Sequence, residues 1–287
     1  MYSPKSYFSY TGAVHETAGG TLNVTNYPVI FFFLLFAAFA CLVEIGLRIE
    51  FRAKAQHDQT KQTQIEETRN QIAVLLSLLL GFTLSMALAR FDHRKELVVD
   101  EANAIGTTYL RAQMINEPAR SQSMQLLARY VEIRTQWMTA SDPQAAIKAS
   151  LAESKVIQDK LWQIAVPLAQ QAPNPIISIY VQTLNDMIDL HEKRLAASEN
   201  RVPGTIWAML ILLGGLTCFT VGLSQRRRMA ISMMVPPLMI AIVMALIADI
   251  DSPRKGLIRV SQGSMVRLQE DLSAAPPTTP PPSVDTK

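Results

Sequence analysis

Residues 72–89 read IAVLLSLLLGFTLSMALA, a run without a single charge, and Arg90-Phe91-Asp92-His93-Arg94 follows at once. Crossing ~30 Å of hydrocarbon takes about 20 apolar residues at ~1.5 Å of rise each, so the run is long enough to span a bilayer. No break signal separates it from Phe91, Val98, Ala102, Ile105 and Tyr109, which continue an apolar stripe at helical spacing. One helix is therefore expected to cross the membrane, leave it, and run on to about Met114.

Three further stretches have the same character: 28–47, 205–223 and 229–248. A buried soluble helix explains any one of them, but not four bounded by Arg and Lys. Ala38-Phe39-Ala40 resembles a signal-peptide cleavage site, yet Arg48 and Arg52 sit directly behind the run, where a retained anchor needs them. The reading is an all-α membrane protein with four spans. Cys41 and Cys218 both fall inside spans, so no disulfide framework is implied. Across 287 residues the charged fraction is 18% and the net charge +3. That balance argues against a disordered chain and gives no basic surface for nucleic acid.

The segments between the spans complete the organisation. A polar N-terminal segment covers 1–27 and a short basic loop 48–71. The tight turn 224–228 carries Arg226, Arg227 and Arg228. Positive charge in these short loops marks them as cytoplasmic, which places the N-terminus, the 90–204 segment and the C-terminus on the outer face of a bacterial inner membrane. Within 90–204, Glu117-Pro118, Asp142-Pro143 and Asn174-Pro175 each read as a helix start, since proline at the first helical position sacrifices no hydrogen bond. Helices are expected over 118–140, 143–171 and 175–200, with Pro167 kinking or shortening the second. Met124, Leu127, Val131 and Met138 share a face of the first, and Ile177, Val181, Leu184, Ile188 and Leu195 a face of the last. With the extension of the second span they make a four-helix bundle. A post-membrane segment, 249–273, precedes a Pro-rich tail, 274–287, expected to be disordered.

The charges cluster at the membrane boundary. Asp92, Asp100, Glu101 and Asn103 follow span two, with Arg90 and Arg94, while Asp249, Asp251, Arg254 and Arg259 follow span four. With four spans, both ends lie on the same face, where opposite charges are expected to pair as a structural network or to form an ion vestibule. His191 lies on the apolar stripe of the last bundle helix. A histidine satisfied by a carboxylate from another helix is favoured there over a metal ligand, and no metal or cofactor motif stands elsewhere. Glu44, the one charge inside a span, can snorkel beside Arg48 at i+4.

Leu80-Gly81-Phe82-Thr83, Arg90-Phe91-Asp92 and Asp100-Glu101-Ala102-Asn103-Ala104-Ile105-Gly106-Thr107 together resemble the bacterial bestrophin-like domain family. Leu184-Asn185 to His191 and Ile247-Ala248-Asp249-Ile250-Asp251-Ser252-Pro253-Arg254 fit it as well. The resemblance covers roughly 70–270. It implies a multi-span membrane protein and a distant likeness to pentameric bestrophin anion channels. Those channels keep their helical region in the cytoplasm, opposite to the side that the arginine turn indicates here.

Two functions follow. The first is a homo-oligomeric ion channel that passes a small anion. Span two lines its pore through Phe82, Thr83 and Ser85, and Arg90 and Arg94 form a basic ring at the mouth. The alternative is a membrane-anchored helical-bundle sensor that acts through a partner protein. An enzyme is disfavoured, because no catalytic constellation is recognisable.

Overall fold

A computed structural model describes residues 27–53, 59–136, 143–171, 174–224, 230–253 and 256–274. Among the described residues there are eight helices and no strand: α1 Pro28–Ala53, α2 Gln59–Ala112, α3 Ala119–Gln136, α4 Pro143–Gln171, α5 Pro175–Glu199, α6 Gly204–Ser224, α7 Ala230–Asp251 and α8 Gly263–Ala274. Four stretches are long and apolar enough to cross a membrane, in α1, α2, α6 and α7. The fold is all-α, as expected. The arginine turn, Met138, Arg254 and the proline-rich tail lie outside the described residues.

Both α1 and α2 run past their apolar stretches, and α2 is one helix of 54 residues. At ~1.5 Å per residue it is about 80 Å long, more than twice the hydrocarbon thickness. The chain forms two compact units, Met1–Val74 with Leu212–Leu257 and Leu75–Ile211 with Ile258–Lys287.

In the first unit, α1 packs on α7 and makes its closest approach to α6. A Cβ at Gly46 would stand 2.4 Å from the Phe219 carbonyl oxygen, and one at Gly222 only 2.1 Å from that of Val43. Glycine at both positions lets the two backbones touch, as small residues do between membrane helices. Glu44 accepts from Arg48 Nε at 2.9 Å, one turn away on α1. At the end of α7, the Asp249 carboxylate accepts from the Leu257 amide at 2.5 Å. Gly256 makes that turn possible, because a Cβ there would lie 2.4 Å from Asp249 Oδ1.

The second unit holds α2 from Leu75 onward and the start of α6, with α3, α4, α5 and α8. Its core is built from Ile105, Leu127, Tyr130, Ile133, Leu161, Tyr180, Leu184 and Met187. The helix starts follow local chemistry. Asn174 Oδ1 accepts from the Ile177 amide at 2.9 Å and Pro175 opens α5. The Glu117 carboxylate accepts from the Ser121 amide at 3.2 Å and from Arg120 Nε at 2.8 Å, closing the start of α3. Pro167 does not end α4, which continues to Gln171.

The helix α8 starts within the post-membrane segment 249–273, for which the sequence predicts no helix. It seats a fully buried Met265 in the core, with Leu268 and Leu272 packed against it, and Thr135 Oγ1 donates to Gln269 Oε1 at 2.6 Å.

Candidate functional site

A residue on a helix turns 100° from its predecessor, so the exposure along α2 reports its rotation. Leu76, Thr83, Ala87, Arg94, Glu101, Thr108 and Ala112 fall on one covered face. Leu75, Leu78, Phe82, Ser85, Ala89, Asp92, Glu96, Asp100 and Asn103 fall on the opposite, uncovered one. This separates residues that the sequence reading had grouped. Phe82 is 65% exposed and Thr83 only 1%. The Thr83 hydroxyl donates to the Leu79 carbonyl at 2.7 Å, a bond within the helix that lets it lie buried. Ser85 shares the uncovered face with Phe82.

The charges separate likewise. Arg94 is 5% exposed and Arg90 is half-buried, so the expected basic ring does not stand on the open face. What stands there is acidic: Asp92, Glu96 and Asp100. Lys95 is exposed at the shoulder of this face, and His93 Nδ1 lies 3.9 Å from Glu96 Oε2. At the end of α7, Asp249 and Asp251 are buried, and beyond it Arg259 is exposed.

Glu101 turns inward from its exposed neighbour Asp100, and its carboxylate is fully buried. Arg134 Nη2 of α3 donates to Oε2 at 3.1 Å, and Arg194 Nη1 of α5 donates to the same oxygen. The other oxygen, Oε1, faces His191 Nδ1 at 3.6 Å and the Tyr130 hydroxyl at 3.5 Å. Tyr130 Oη also lies 3.1 Å from His191 Nδ1 and accepts from Gln158 Nε2 of α4 at 3.1 Å. The second Arg194 nitrogen, Nη2, donates to Gln262 Oε1, just ahead of α8. One carboxylate thus gathers side chains from α3 and α5, and Tyr130 links it to Gln158 of α4. His191 is the buried histidine of the sequence reading, and its carboxylate from another helix is Glu101.

Burial alone pushes the Glu101 carboxyl up, but Arg134, His191 and Arg194 outweigh it and hold it well below the ordinary carboxylate range. Burial, with the neighbouring Glu101 charge, pushes the Tyr130 phenol up, so it stays a hydroxyl. The sign of the pH effect follows. Below pH 4.5 an unfolded Glu101 takes up a proton that the folded one refuses, and stability falls as the pH falls. Melting curves of the detergent-solubilised protein should shift down below that pH, and Glu101→Gln should remove this contribution to the slope. An equal acid slope in the variant would contradict the assignment.

No group of metal-ligating side chains occurs among the described residues. No curated protein matches the chain. A family model described as the bestrophin-like domain matches residues 28–265, most of the chain and all four spans.

The chain belongs to the bestrophin-like family.

Solved structures agree on the fold. A crystal structure of a bacterial bestrophin homologue from Klebsiella pneumoniae, solved by zinc phasing, superposes with a TM-score of 0.59 at 14% identity, over 87% of this chain and 100% of that one. A point variant from the same organism gives 0.60 at 13%, over 84% and 95%. The stretches that carry the bestrophin-like resemblance now have physical roles. In residues 100–107, Asp100 and Asn103 face outward while Glu101, Ala102 and Ile105 face the core. Gly106 leaves room for Leu268 of α8, whose Cδ1 would lie 3.3 Å from a Cβ there. Asp249 at the end of α7 and Gly256 after it shape the turn.

Proposed function

We propose that this bestrophin-like protein is a homo-oligomeric ion channel of the bacterial inner membrane whose pore is lined by α2. One observation carries the reading: a single uncovered face runs along α2 from the membrane stretch into the bundle. It passes from Leu75, Leu78, Phe82 and Ser85 to Asp92, Glu96, Asp100 and Asn103. Lipid is a sufficient neighbour for the apolar end but not for the carboxylates that continue the same line. Copies of α2 set around an axis give both ends one environment: a narrow apolar passage at Phe82, then a wet acidic vestibule. Hydrophobic constrictions joined to rings of charge are the usual means by which channels gate and select.

The sign of the vestibule favours cations. Arg94, the strongest argument for anions in the sequence, is turned into the protein, and the uncovered charges are mainly carboxylates. Rings of Asp and Glu attract cations and repel anions.

The test is purified protein in planar bilayers across a KCl gradient. The reversal potential should lie on the potassium side. Replacing Asp92, Glu96 and Asp100 together by their amides should move it toward zero without abolishing current. Ser85→Cys should make the current sensitive to a thiol reagent. Silence at every voltage and pH would overturn the channel reading, and reversal on the chloride side would overturn the cation assignment.

A further inference from the structure

Asp100 and Glu101 are adjacent acids about 100° apart on α2, one uncovered and the other fully buried. A turn of α2 by one residue in the sense that uncovers Glu101 would carry it to the azimuth Asp100 now holds. Arg134 and Arg194 would then lose their shared carboxylate. Buried charge is tolerated only when paired and hydrogen-bonded, so this turn is strongly disfavoured. Packing resists the turn too, through Val98, Ile105 and Tyr109 of α2 in the core, although Ala102 and Ala112 on the same face are small. Further out, Thr108 Oγ1 donates to the Thr183 carbonyl at 3.1 Å and Arg111 Nη1 to that of Ile179 at 3.2 Å, both on α5. Glu101 alone of these residues reaches both α3 and α5, and it lies one residue from the acidic line.

We propose that Glu101 is a positioning residue which, through Arg134 and Arg194, fixes the rotation of α2 and so keeps Asp92, Glu96 and Asp100 on the face that lines the pore. The consequence for selectivity rests on the channel reading; the rotational lock does not. Gln262 extends the lock to the segment leading into α8, because the same Arg194 guanidinium holds both it and Glu101.

The experiment uses the full-length chain with Cys41 and Cys218 replaced by alanine, in detergent, with a membrane-impermeant maleimide. Single cysteines are placed at Asn103 on the uncovered face, at Ala102 on the covered face, and at the buried Ala165 of α4. With Glu101 intact, the cysteine at 103 should react more than ~tenfold faster than that at 102, since a buried site reacts only through local opening. In Glu101→Gln the ratio should fall toward one while the cysteine at 165 stays protected. Arg194→Gln, which leaves Glu101 on Arg134, should give an intermediate ratio and serves if Glu101→Gln does not fold. An unchanged ratio in the variants overturns the lock. So does a reactive cysteine at 165, which would show general loosening instead of rotation. No current enters this readout, so a silent wild-type protein would overturn the channel reading while leaving the lock standing on its labelling ratio.

Discussion

Glu101→Gln is expected to lower the apparent melting midpoint of the solubilised protein by about 10 °C, the largest loss from any one-atom change in the bundle. The change keeps the shape of the side chain and removes only its charge. Two arginines that donate to that carboxylate remain in place, one nearly as buried as Glu101 itself. Stranding a buried charge in this way typically costs about 3–5 kcal/mol. For a domain of this size each kcal/mol is worth about 2–4 °C. Circular dichroism or a thiol-reactive dye would follow the transition. The double variant Glu101→Gln/Arg194→Gln should recover part of the loss, because it removes one of the stranded cations. A midpoint within a degree or two of wild type would show that the arginines find other partners at no cost.

Gly222→Ala is the second large effect, and it falls in the other unit. The added methyl would lie 2.1 Å from the Val43 carbonyl oxygen and 2.9 Å from the Leu47 nitrogen. Both contacts are with backbone, so no side chain can rotate to relieve them. The helices α1 and α6 must separate along the crossing, with loss of the packing between them. Overpacking of this kind costs about 3 kcal/mol, and the rigid partner puts this site at the upper end. The expected result is a lower midpoint and poor yield in detergent. Gly204→Ala is the control: nothing lies within 4 Å of a Cβ there, and its midpoint should be unchanged. Equal behaviour of the two variants would mean that α1 and α6 do not cross at Gly222.

These two sites differ in how far the sequence announces them. The spans, the long extension of α2 and the start of α5 at Pro175 are all local signals: length of apolar run, helical spacing and a capping side chain. Such features survive translation into structure because they involve neighbours within one or two turns. The Glu101 centre is different. Its arginines lie 33 and 93 positions away, and nothing about either announces a shared carboxylate. The sequence reading placed Glu101 in a membrane-boundary network and His191 apart from it; in the fold they meet.

The rotation of α2 was partly legible, since Asp92, Glu96 and Asp100 are spaced to share a face opposite Val98, Ala102 and Ile105. Two residues obscured it. Thr83 has a polar atom but satisfies it within its own helix, so it can be buried among apolar neighbours. Arg94 carries a charge and is buried nonetheless. A hydroxyl and a guanidinium near a pore both invite assignment to its wall, and only the burial of the two side chains withdraws it. The helix α8 was missed for another reason. Met265, Leu268 and Leu272 have helical spacing, but the stretch is short, and its stability comes from the core position of Met265 more than from intrinsic propensity.

The claim on which the functional account turns is that copies of this chain surround an axis lined by α2. Single-particle images of the purified protein in detergent test it most directly. The expected image is a symmetric closed ring in which the uncovered face of α2, with Phe82 and Ser85, borders the central opening. A monomer, a lateral dimer, or a ring with α2 on its lipid-facing rim would contradict it.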